Sequence, residues 1–403
     1  MNQFLTRNML LVTVILMDIL TGMEFDLFVP SFPELQSQFN ISPFWVEALL
    51  SVNFVGYFLS LFVVANLADR YGRKPVILIG LIIFTLGSCL CLWAGNYHLL
   101  LVGRFFQGLG VAAPSILSFV IIADIYPLKH QQRLMGILNG LMNISAGLAP
   151  VFGSYITMYF HWQGNFMTLL LLGIVTLIMT VFFVPANYKS TLNETGSSSG
   201  YIAISRSKPL MILIFSFVFA SVPYWLFVGM SPLLYIKDLG VSLAHFGYYQ
   251  GFLAFIFALG SIFYGLIMDK FDQEKILYTS NLLYVISLIM VGLVSLMNSS
   301  SPLLITLSYL PFVIGQIIPS IILYPLTLNI IPNAKAKAKV SAIIQGTRLI
   351  LTALSLQLAG HYYTGSFQNV GIIMGLFMTL AIISMYFVIR NQELMKFINK
   401  KTL

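Results

Sequence analysis

The chain has 403 residues, of which 58% are hydrophobic and only 8% are charged, and its formal net charge is +8. Because a soluble domain usually has about a quarter of its residues charged, this composition excludes an ordinary soluble protein and predicts a polytopic membrane protein. All Lys and Arg residues except Lys237, Arg104 and Arg348 fall in connections on one side of the predicted topology. This asymmetry follows the positive-inside rule. The basic charge therefore predicts cytoplasmic connections in contact with membrane lipid, and it predicts no nucleic-acid partner.

Twelve apolar segments follow one another along the chain, each near the length of about 20 residues that a helix needs to cross the hydrocarbon core. They cover about residues 8–31, 44–66, 76–94, 98–123, 134–158, 165–184, 209–232, 244–267, 276–296, 303–331, 340–362 and 369–389. The even number predicts that both termini are cytoplasmic. The connection 185–208 is rich in Ser and Gly, which is typical of a flexible linker. It predicts an N-terminal bundle at 1–184 and a C-terminal bundle at 209–403 with a short cytoplasmic tail.

The first span contains three acidic residues, Asp18, Glu24 and Asp26. An unpaired carboxylate at the bilayer centre costs roughly 2.5–3.5 kcal/mol on insertion scales, so three of them suggest titration during a transport cycle. On a helix, Asp18 and Asp26 differ by about 80° and can share one side, whereas Glu24 lies about 160° from Asp26. We therefore predict Asp18 and Asp26 as the proton-coupling pair. The role of Glu24 stays open between coupling and structural pairing with a polar neighbour in another span.

An internal repeat connects the two halves of the chain. After the second span the chain reads ADRYGRK at 68–74, and after the eighth span it reads MDKFD at 268–272. A charged turn that satisfies helix ends explains each connection alone, but it does not explain their equivalent places in the two halves. Two six-span halves with matching connections are typical of a parallel-repeat transporter.

The connection at 69–74 resembles the most diagnostic loop of the major facilitator superfamily, although Ala65 stands where that loop usually begins with Gly. The resemblance covers nearly the whole chain and implies an all-α fold of twelve transmembrane helices in two pseudo-symmetric six-helix bundles. It also implies a gating role, in which charges at the cytoplasmic helix ends hold the halves together in one state of the cycle. The residues given this role are Asp69, Arg70, Gly72, Arg73, Asp269 and Lys270, although the second copy lacks the later Gly-Arg.

Two further motifs resemble those of coupled antiporters in the superfamily. Arg104 lies within the fourth span, where an arginine stays charged and needs an acceptor. The resemblance implies that Arg104 communicates with a titrating carboxylate, and a purely structural arginine is the alternative. In the fifth span, Gly147, Pro150 and Gly153 resemble the antiporter motif. Glycine and proline in membrane helices also serve packing alone.

The sequence DLFVPSFP at 26–33 is similar to the first-span motif of the bicyclomycin-resistance and chloramphenicol-efflux drug:proton antiporters. The acidic residue eight positions before Asp26 also resembles the first span of the enterobacterial multidrug facilitator. The sequence HWQG at 161–164 departs from the bicyclomycin group at Gln163 and Gly164. Membership of this group implies that a proton and a substrate compete for the first-span carboxylates.

An aromatic and methionine-rich surface is the predicted drug-binding surface, since such surfaces adapt to varied apolar or cationic ligands. Packing or lipid contact is the alternative for each residue taken singly. Gln345 and Arg348 in the eleventh span are expected to face the interior, where Arg348 can bind an anionic substrate. Together with Asp26, Gln345 and Arg348, the predicted substrate-binding residues are Tyr57, Tyr224, Trp225, Met230, Tyr248, Tyr249 and Phe252.

The leading hypothesis is a monomeric, proton-coupled efflux antiporter of drug-like molecules in the inner membrane, which works by alternating access and uses no cofactor besides the coupling proton. One alternative keeps the fold and moves an endogenous metabolite, such as a siderophore, outward or inward. A second alternative is a membrane-embedded enzyme. It is disfavoured because the five histidines are scattered near span ends without metal-ligand spacing. The sequence accordingly predicts no metal site.

Overall fold

The computed structural model describes residues 3–125, 128–185, 206–267, 272–329 and 334–400. Almost all of these residues are helical, as the hydropathy pattern predicts. The helices are α1 (Gln3–Asp26), α2 (Phe32–Phe39), α3 (Pro43–Tyr71), α4 (Arg73–Leu92), α5 (Tyr97–Ile125), α6 (Leu128–Phe183), α7 (Lys208–Pro232), α8 (Leu243–Ile267), α9 (Gln273–Leu296), α10 (Pro302–Asn329), α11 (Ala334–Tyr362), α12 (Phe367–Arg390) and α13 (Gln392–Lys400). A 3₁₀ turn at Val29–Ser31 precedes α2, and a π-helical stretch at Leu233–Asp238 continues α7.

Ten helical stretches of the described chain are long and apolar enough to cross a membrane. One of them, at 144–183, contains a break at His161 and supplies both the fifth and the sixth predicted span. Helix α1, with 24 residues, supplies the first. Each of the twelve predicted spans therefore corresponds to a helical segment.

The break in α6 is a single residue in the left-handed region. His161 has φ 57° and ψ −172°, which is uncommon for a residue with a side chain. Glu34 of α2 binds both sides of this break, because its Oε1 lies 2.8 Å from His161 Nδ1 and its Oε2 accepts the Trp162 backbone N–H at 3.0 Å. The Glu34 carboxylate of α2 thus stabilises the break between the two helical parts of α6.

The chain divides into two compact units. Unit 1 contains the described residues up to 185 together with 242–254, and unit 2 contains 206–241 and 255–400. Within unit 1, α5 packs against α3 and α4, and α1 packs against α6. Within unit 2, α9 packs against α10 and α12, and α7 packs against α11 and α12. The bundles at 1–184 and 209–403 and the linker between them stay a prediction.

The α1–α6 contact in unit 1 depends on glycine. A Cβ atom added to Gly22 would lie 2.6 Å from the Met142 carbonyl oxygen, and one added to Gly153 would overlap the Leu27 carbonyl oxygen. The two backbones therefore approach closely at Gly22, between Asp18 and Glu24, and at Leu27, directly after Asp26, as small residues permit in membrane helices. This packing positions Asp26.

Candidate functional site

The guanidinium of Arg104 lies wholly buried in unit 1, and two of its three nitrogens have acceptors, while Nη2 has no hydrogen-bond partner among the described residues. Nη1 donates to Glu24 Oε1 at 2.9 Å and to Gln107 Oε1 at 2.7 Å, and Nε donates to the Leu49 carbonyl at 3.3 Å. The Phe28 ring covers the guanidinium, with its centroid 4.1 Å from Cζ. Of the three acids of α1, the structure therefore pairs Arg104 with Glu24.

Polar side chains from two other helices, α3 and α4, and Gln107 of α5 extend this ion pair. Asn53 of α3 donates through Nδ2 to Glu24 Oε1 at 2.6 Å and to the Arg104 carbonyl at 3.0 Å. Gln107 donates through Nε2 to Ser88 Oγ of α4 at 2.8 Å. We call these five residues, Glu24, Asn53, Ser88, Arg104 and Gln107, the Arg104 cluster. It joins α1, α3, α4 and α5 through one buried network.

The Arg104 cluster changes the interpretation of α1. Sequence reasoning set Glu24 apart because it lies on another side of the helix from Asp18 and Asp26. That side of α1 faces Arg104. Glu24, whose role the sequence left open, is therefore the carboxylate that accepts from Arg104. Asn53 and Gln107 were not identified, although polar side chains inside apolar spans are a signal of interior contacts.

Asp18 belongs to a second polar group between α1, α3 and α5. Its Oδ1 lies 2.8 Å from Ser118 Oγ, which also lies 3.1 Å from the Ser115 carbonyl, so the single hydroxyl proton can serve either acceptor. The Tyr57 hydroxyl lies 2.9 Å from Ser115 Oγ, and its ring packs against Phe25 at 5.7 Å. The structure thus brings together two predicted site residues, Asp18 and Tyr57, through two serines that the sequence did not single out.

Asp26 ends α1 and is only 3% exposed. Its Oδ1 has no hydrogen-bond partner in the part of the chain that the structure describes. A buried polar atom without a partner is costly. This carboxyl group therefore has an acceptor position that a proton or a cationic ligand can occupy.

Glu47 of α3 is a fourth buried acid that the sequence analysis missed. It is 0% exposed, and neither of its carboxyl oxygens has a hydrogen-bond partner among the described residues. The rule that drew attention to α1, an acidic residue within an apolar span, would have found Glu47 as well.

The predicted gating residues lie at the end of α3 and the start of α4. Gly72 has φ 92°, a conformation that favours glycine, and its N–H bonds the Ala68 carbonyl at 3.0 Å to end α3. Asp69 lies in the last turns of α3, and the Arg70 guanidinium lies 5.3 Å from the Tyr71 ring centroid. Arg73 is buried at the start of α4. Asp269 and Lys270 lie outside the described residues.

In unit 1, the predicted substrate residues of α8 lie at the surface or partly covered. Tyr248 and Phe252 are exposed and Tyr249 is half-buried. The hydroxyl of Tyr248 lies 2.6 Å from that of Tyr155 in α6. Gly147, also in α6, would place an added Cβ 2.6 Å from the Ala254 Cβ. The residues that resemble an antiporter motif therefore contribute close helix packing, and their role in exchange stays a prediction.

In unit 2, Tyr224 and Trp225 of α7 are half-buried and make an edge contact at 5.9 Å, while Met230 is buried. Gln345 and Arg348 of α11 are half-buried and lie three residues apart, so they share a helix face. Their part in substrate binding stays a prediction.

A stack of aromatic rings fills the interior of unit 2. Phe227 lies 5.2 Å from Tyr309, Tyr309 lies 5.5 Å from Phe312, and Phe312 lies 4.5 Å from Tyr284, as ring centroids. We call these four residues the tyrosine stack. Within the described chain, the hydroxyls of Tyr284 and Tyr309 have no hydrogen-bond partner.

Residues 14–356 match the model of the family described as the Major Facilitator Superfamily. The chain is 28% identical over 271 residues to the multidrug resistance protein MdtL of Citrobacter koseri, which covers 67% of this chain and 69% of that protein. It is 26% identical over 256 residues to a bicyclomycin resistance protein homologue of Haemophilus influenzae. That match covers 62% of this chain and 64% of the homologue. The chain thus matches about two thirds of the length of these relatives.

Among solved structures, a D-xylose–proton symporter shares the fold with a TM-score of 0.75 at 15% sequence identity, over 94% of this chain and 97% of that one. The family match covers most of the chain, and the twelve helical segments agree with it. The chain therefore belongs to the major facilitator superfamily and is a membrane transporter.

Proposed function

We propose that this transporter is a proton-coupled antiporter that exports drug-like molecules by alternating access. The printed names of its relatives, multidrug resistance protein and bicyclomycin resistance protein homologue, support the cargo class. The arrangement of the acids in α1 supports the coupling. In this proposal the chain is a monomer in the inner membrane, both termini are cytoplasmic, and the proton is the coupling ion.

Asp26 carries the proposal. Glu24 already has the Arg104 guanidinium and the Asn53 amide as partners, and Asp18 has the Ser118 hydroxyl. Asp26 is nearly as deeply buried, at 3% exposure. Each of the three acids has one oxygen without a partner among the described residues, but Asp18 and Glu24 accept a side-chain hydrogen bond at the other oxygen, and no such donor to Asp26 is present in the described structure. We assign proton binding first to Asp26, because a proton neutralises a carboxylate that burial would otherwise penalise.

The cycle follows from competition at one carboxyl group. In the state open to the cytoplasm, Asp26 loses its proton and attracts a substrate, most strongly a cation. In the state open to the outside, a proton taken up by Asp26 removes that attraction and the substrate leaves. Asp18 serves as the second coupling carboxyl. Its partner Ser118 also approaches the Ser115 carbonyl, and the Ser115 hydroxyl contacts Tyr57 of the proposed binding surface.

The Arg104 cluster has a positioning role in this scheme. It fixes α1 to α3, α4 and α5 two residues before Asp26, so Asp26 is held at the end of a buried, hydrogen-bonded network. The turn at Gly72, with Asp69, Arg70 and Arg73 beside it, supplies the gating charges of the first half. Asp269 and Lys270 are assigned the equivalent part in the second half.

The proposed substrate surface comprises the predicted aromatic residues together with Met230 and Gln345. Arg348 supports a second candidate function, which is transport of an anionic metabolite such as a siderophore. It is half-buried on the same face of α11 as Gln345, and a guanidinium is suited to bind carboxylate or phosphate groups.

Transport by the purified chain in proteoliposomes tests both candidates. The probes are ethidium as a cation, chloramphenicol as a neutral drug and desferrioxamine as a siderophore, each with an imposed proton gradient. We expect drug accumulation coupled to proton release, complete loss of gradient-driven accumulation in Asp26→Asn, and normal transport in the control Glu393→Gln, whose exposed acid lies in α13 outside the site.

Wild-type transport by Asp26→Asn would refute the coupling assignment. Transport of the siderophore but of neither drug, with loss in Arg348→Ala, would replace the drug antiporter with the second candidate.

A further inference from the structure

Glu47 is the buried acid that the proposed cycle does not use. Asp18 and Glu24 each accept at least one hydrogen bond from a side chain on another helix. Glu47 is 0% exposed, and among the described residues neither Oε1 nor Oε2 has a partner. Both oxygens of one fully enclosed carboxyl group thus lack donors, which makes Glu47 the least compensated of the buried acids.

The polar groups from α5 that approach this part of α3 bind its backbone. The Tyr97 hydroxyl donates to the Trp45 carbonyl at 2.6 Å, and Arg104 Nε donates to the Leu49 carbonyl at 3.3 Å. The Tyr97 hydroxyl and Arg104 Nε, which bind two residues before and two residues after Glu47, therefore donate to main-chain carbonyl oxygens.

The titratable groups on the other neighbouring helices are also engaged. Glu24 of α1 binds Asn53 and Arg104. Glu34 of α2 binds the break in α6. Cys91 of α4 has its Sγ 3.7 Å from the Leu100 carbonyl. In the described structure, the hydrogen bonds of these groups thus go to atoms other than the carboxyl group of Glu47.

An ionised carboxylate without donors in a buried site is strongly disfavoured, whereas a protonated one is a neutral group of modest polarity. A proton is the smallest ligand that removes this penalty, and it needs no additional space. The packing around Glu47 therefore favours the protonated acid in the described conformation.

The position of Glu47 separates it from the site in α1. It is the fifth residue of α3, which begins at Pro43, and it lies at the opposite end of this helix from the turn at Gly72. Asn53, the α3 residue that binds Glu24, is six residues further on, which is about 9 Å along the helix axis. By the predicted topology, the end of α3 that carries Glu47 is the outer one.

We propose that Glu47 is a second proton-binding site, located at the outer end of α3 and distinct from the carboxyl groups of α1. It takes up a proton from the outside when the outer end of unit 1 becomes hydrated, holds that proton in the described conformation, and gives it up towards the cytoplasm in the remainder of the cycle. The chemistry is reversible protonation of one carboxylate, and no other reactant is needed. The inference rests on the proposed proton coupling for its role in transport, whereas occupancy by a proton can be measured without it.

Infrared difference spectroscopy tests occupancy directly, because the carbonyl stretch of a protonated carboxyl group is separated from the bands of carboxylates. We expect the wild-type protein at neutral pH to show a protonated band that Glu47→Gln lacks and that the control Glu393→Gln, at an exposed acid, retains. Glu47→Leu, which fills the site with an apolar side chain, gives the same comparison if the amide variant does not fold. If Glu47→Gln instead lacks a carboxylate band and keeps the protonated band, Glu47 is ionised in the wild-type protein, and the proposal is overturned.

Accumulation at equilibrium tests the role in transport, with ethidium as the probe. One proton fewer per substrate lowers the limiting ethidium gradient about tenfold for each imposed pH unit, because one unit corresponds to about 1.4 kcal/mol per proton. We expect this reduction in Glu47→Gln and complete loss in Asp26→Asn. A wild-type limiting gradient in Glu47→Gln would refute a transported proton at Glu47. A wild-type gradient in Asp26→Asn would refute the proposed function, and the infrared comparison would still decide whether Glu47 binds a proton.

Discussion

The two units of the chain bury different chemistry. In unit 1, the interior contains the carboxyl groups of Asp18, Glu24, Asp26 and Glu47 and the guanidinium of Arg104. Among the residues of unit 2 whose side chains the structure describes, which leave out those of 334–339, no acidic or basic side chain is buried, and the interior polar groups are hydroxyls, amides and the phenols of the tyrosine stack. Groups that change charge are therefore concentrated in one unit.

This difference has a physical consequence for transport. A protonation change alters the electrostatic energy of a buried site by several kcal/mol, whereas a phenol or an amide keeps its charge across the physiological pH range. We therefore expect substitutions inside unit 1 to change both stability and coupling, and substitutions inside unit 2 to change packing and substrate preference.

The largest effect is expected from removing one side of the Arg104 cluster. Arg104→Met leaves Glu24 as a buried carboxylate without its guanidinium, so the free energy of unfolding should fall by about 3–5 kcal/mol. Reversible unfolding in mixed detergent micelles measures this change.

The matched control is the double variant Glu24→Gln with Arg104→Met, which removes both charges together. It should recover much of the lost stability, since a neutral pair leaves no uncompensated buried charge. If the double variant is as unstable as Arg104→Met alone, the ion pair is not the source of the loss, and the contrast between the units weakens.

A smaller effect is expected at the second polar group of unit 1. Ser118→Ala removes the donor to Asp18 Oδ1, and an unsatisfied buried acceptor costs about 1–3 kcal/mol. A double-mutant cycle with Asp18→Asn isolates the contact, because neighbouring residues that interact show non-additive effects. Additive losses would show that the serine and the aspartate contribute independently.

The smallest effect is expected in unit 2. Tyr309→Phe removes a buried hydroxyl that has no partner in the described structure, so stability should change by less than about 1 kcal/mol and in the favourable direction. Tyr235→Phe is the matched control, because its hydroxyl lies 2.8 Å from Thr306 Oγ1 and donates to the Pro302 carbonyl at 3.2 Å. If both variants lose equal stability, the Tyr309 hydroxyl has a bound water or ligand as partner.

Hydropathy and local motifs were sufficient to predict the fold. The twelve apolar segments were each long enough to cross a bilayer, and the described helices match them. The connection at 69–74 predicted the superfamily, and the glycine in it occupies a left-handed turn that a larger residue would strain. These features are local in sequence, so the sequence alone specifies them.

The contacts of the site are not local and could not be predicted in the same way. The angular position of Glu24 gave the side of α1 on which it lies, but it did not say that α5 would present Arg104 there. Ser118 meets Asp18 from a position 100 residues away. Glycine at 108 lets α5 approach the α3 backbone at Asn53, because an added Cβ would overlap the Asn53 carbonyl oxygen. Such pairings depend on helix packing, which single-helix periodicity does not contain.

The part of α6 that follows the break, from Trp162 to Phe183, is hydrogen-bonded to another helix at each of its ends. We call this part the second arm of α6. Glu34 binds its beginning at His161 and Trp162, and Lys74 Nζ donates to the Val181 carbonyl near its end at 2.7 Å. Spin labels placed on α2 and on the start of α4 should therefore keep constant separations from this arm throughout a transport cycle. The second arm of α6 then provides a fixed reference within unit 1, and the displacement of any other labelled helix can be measured relative to it.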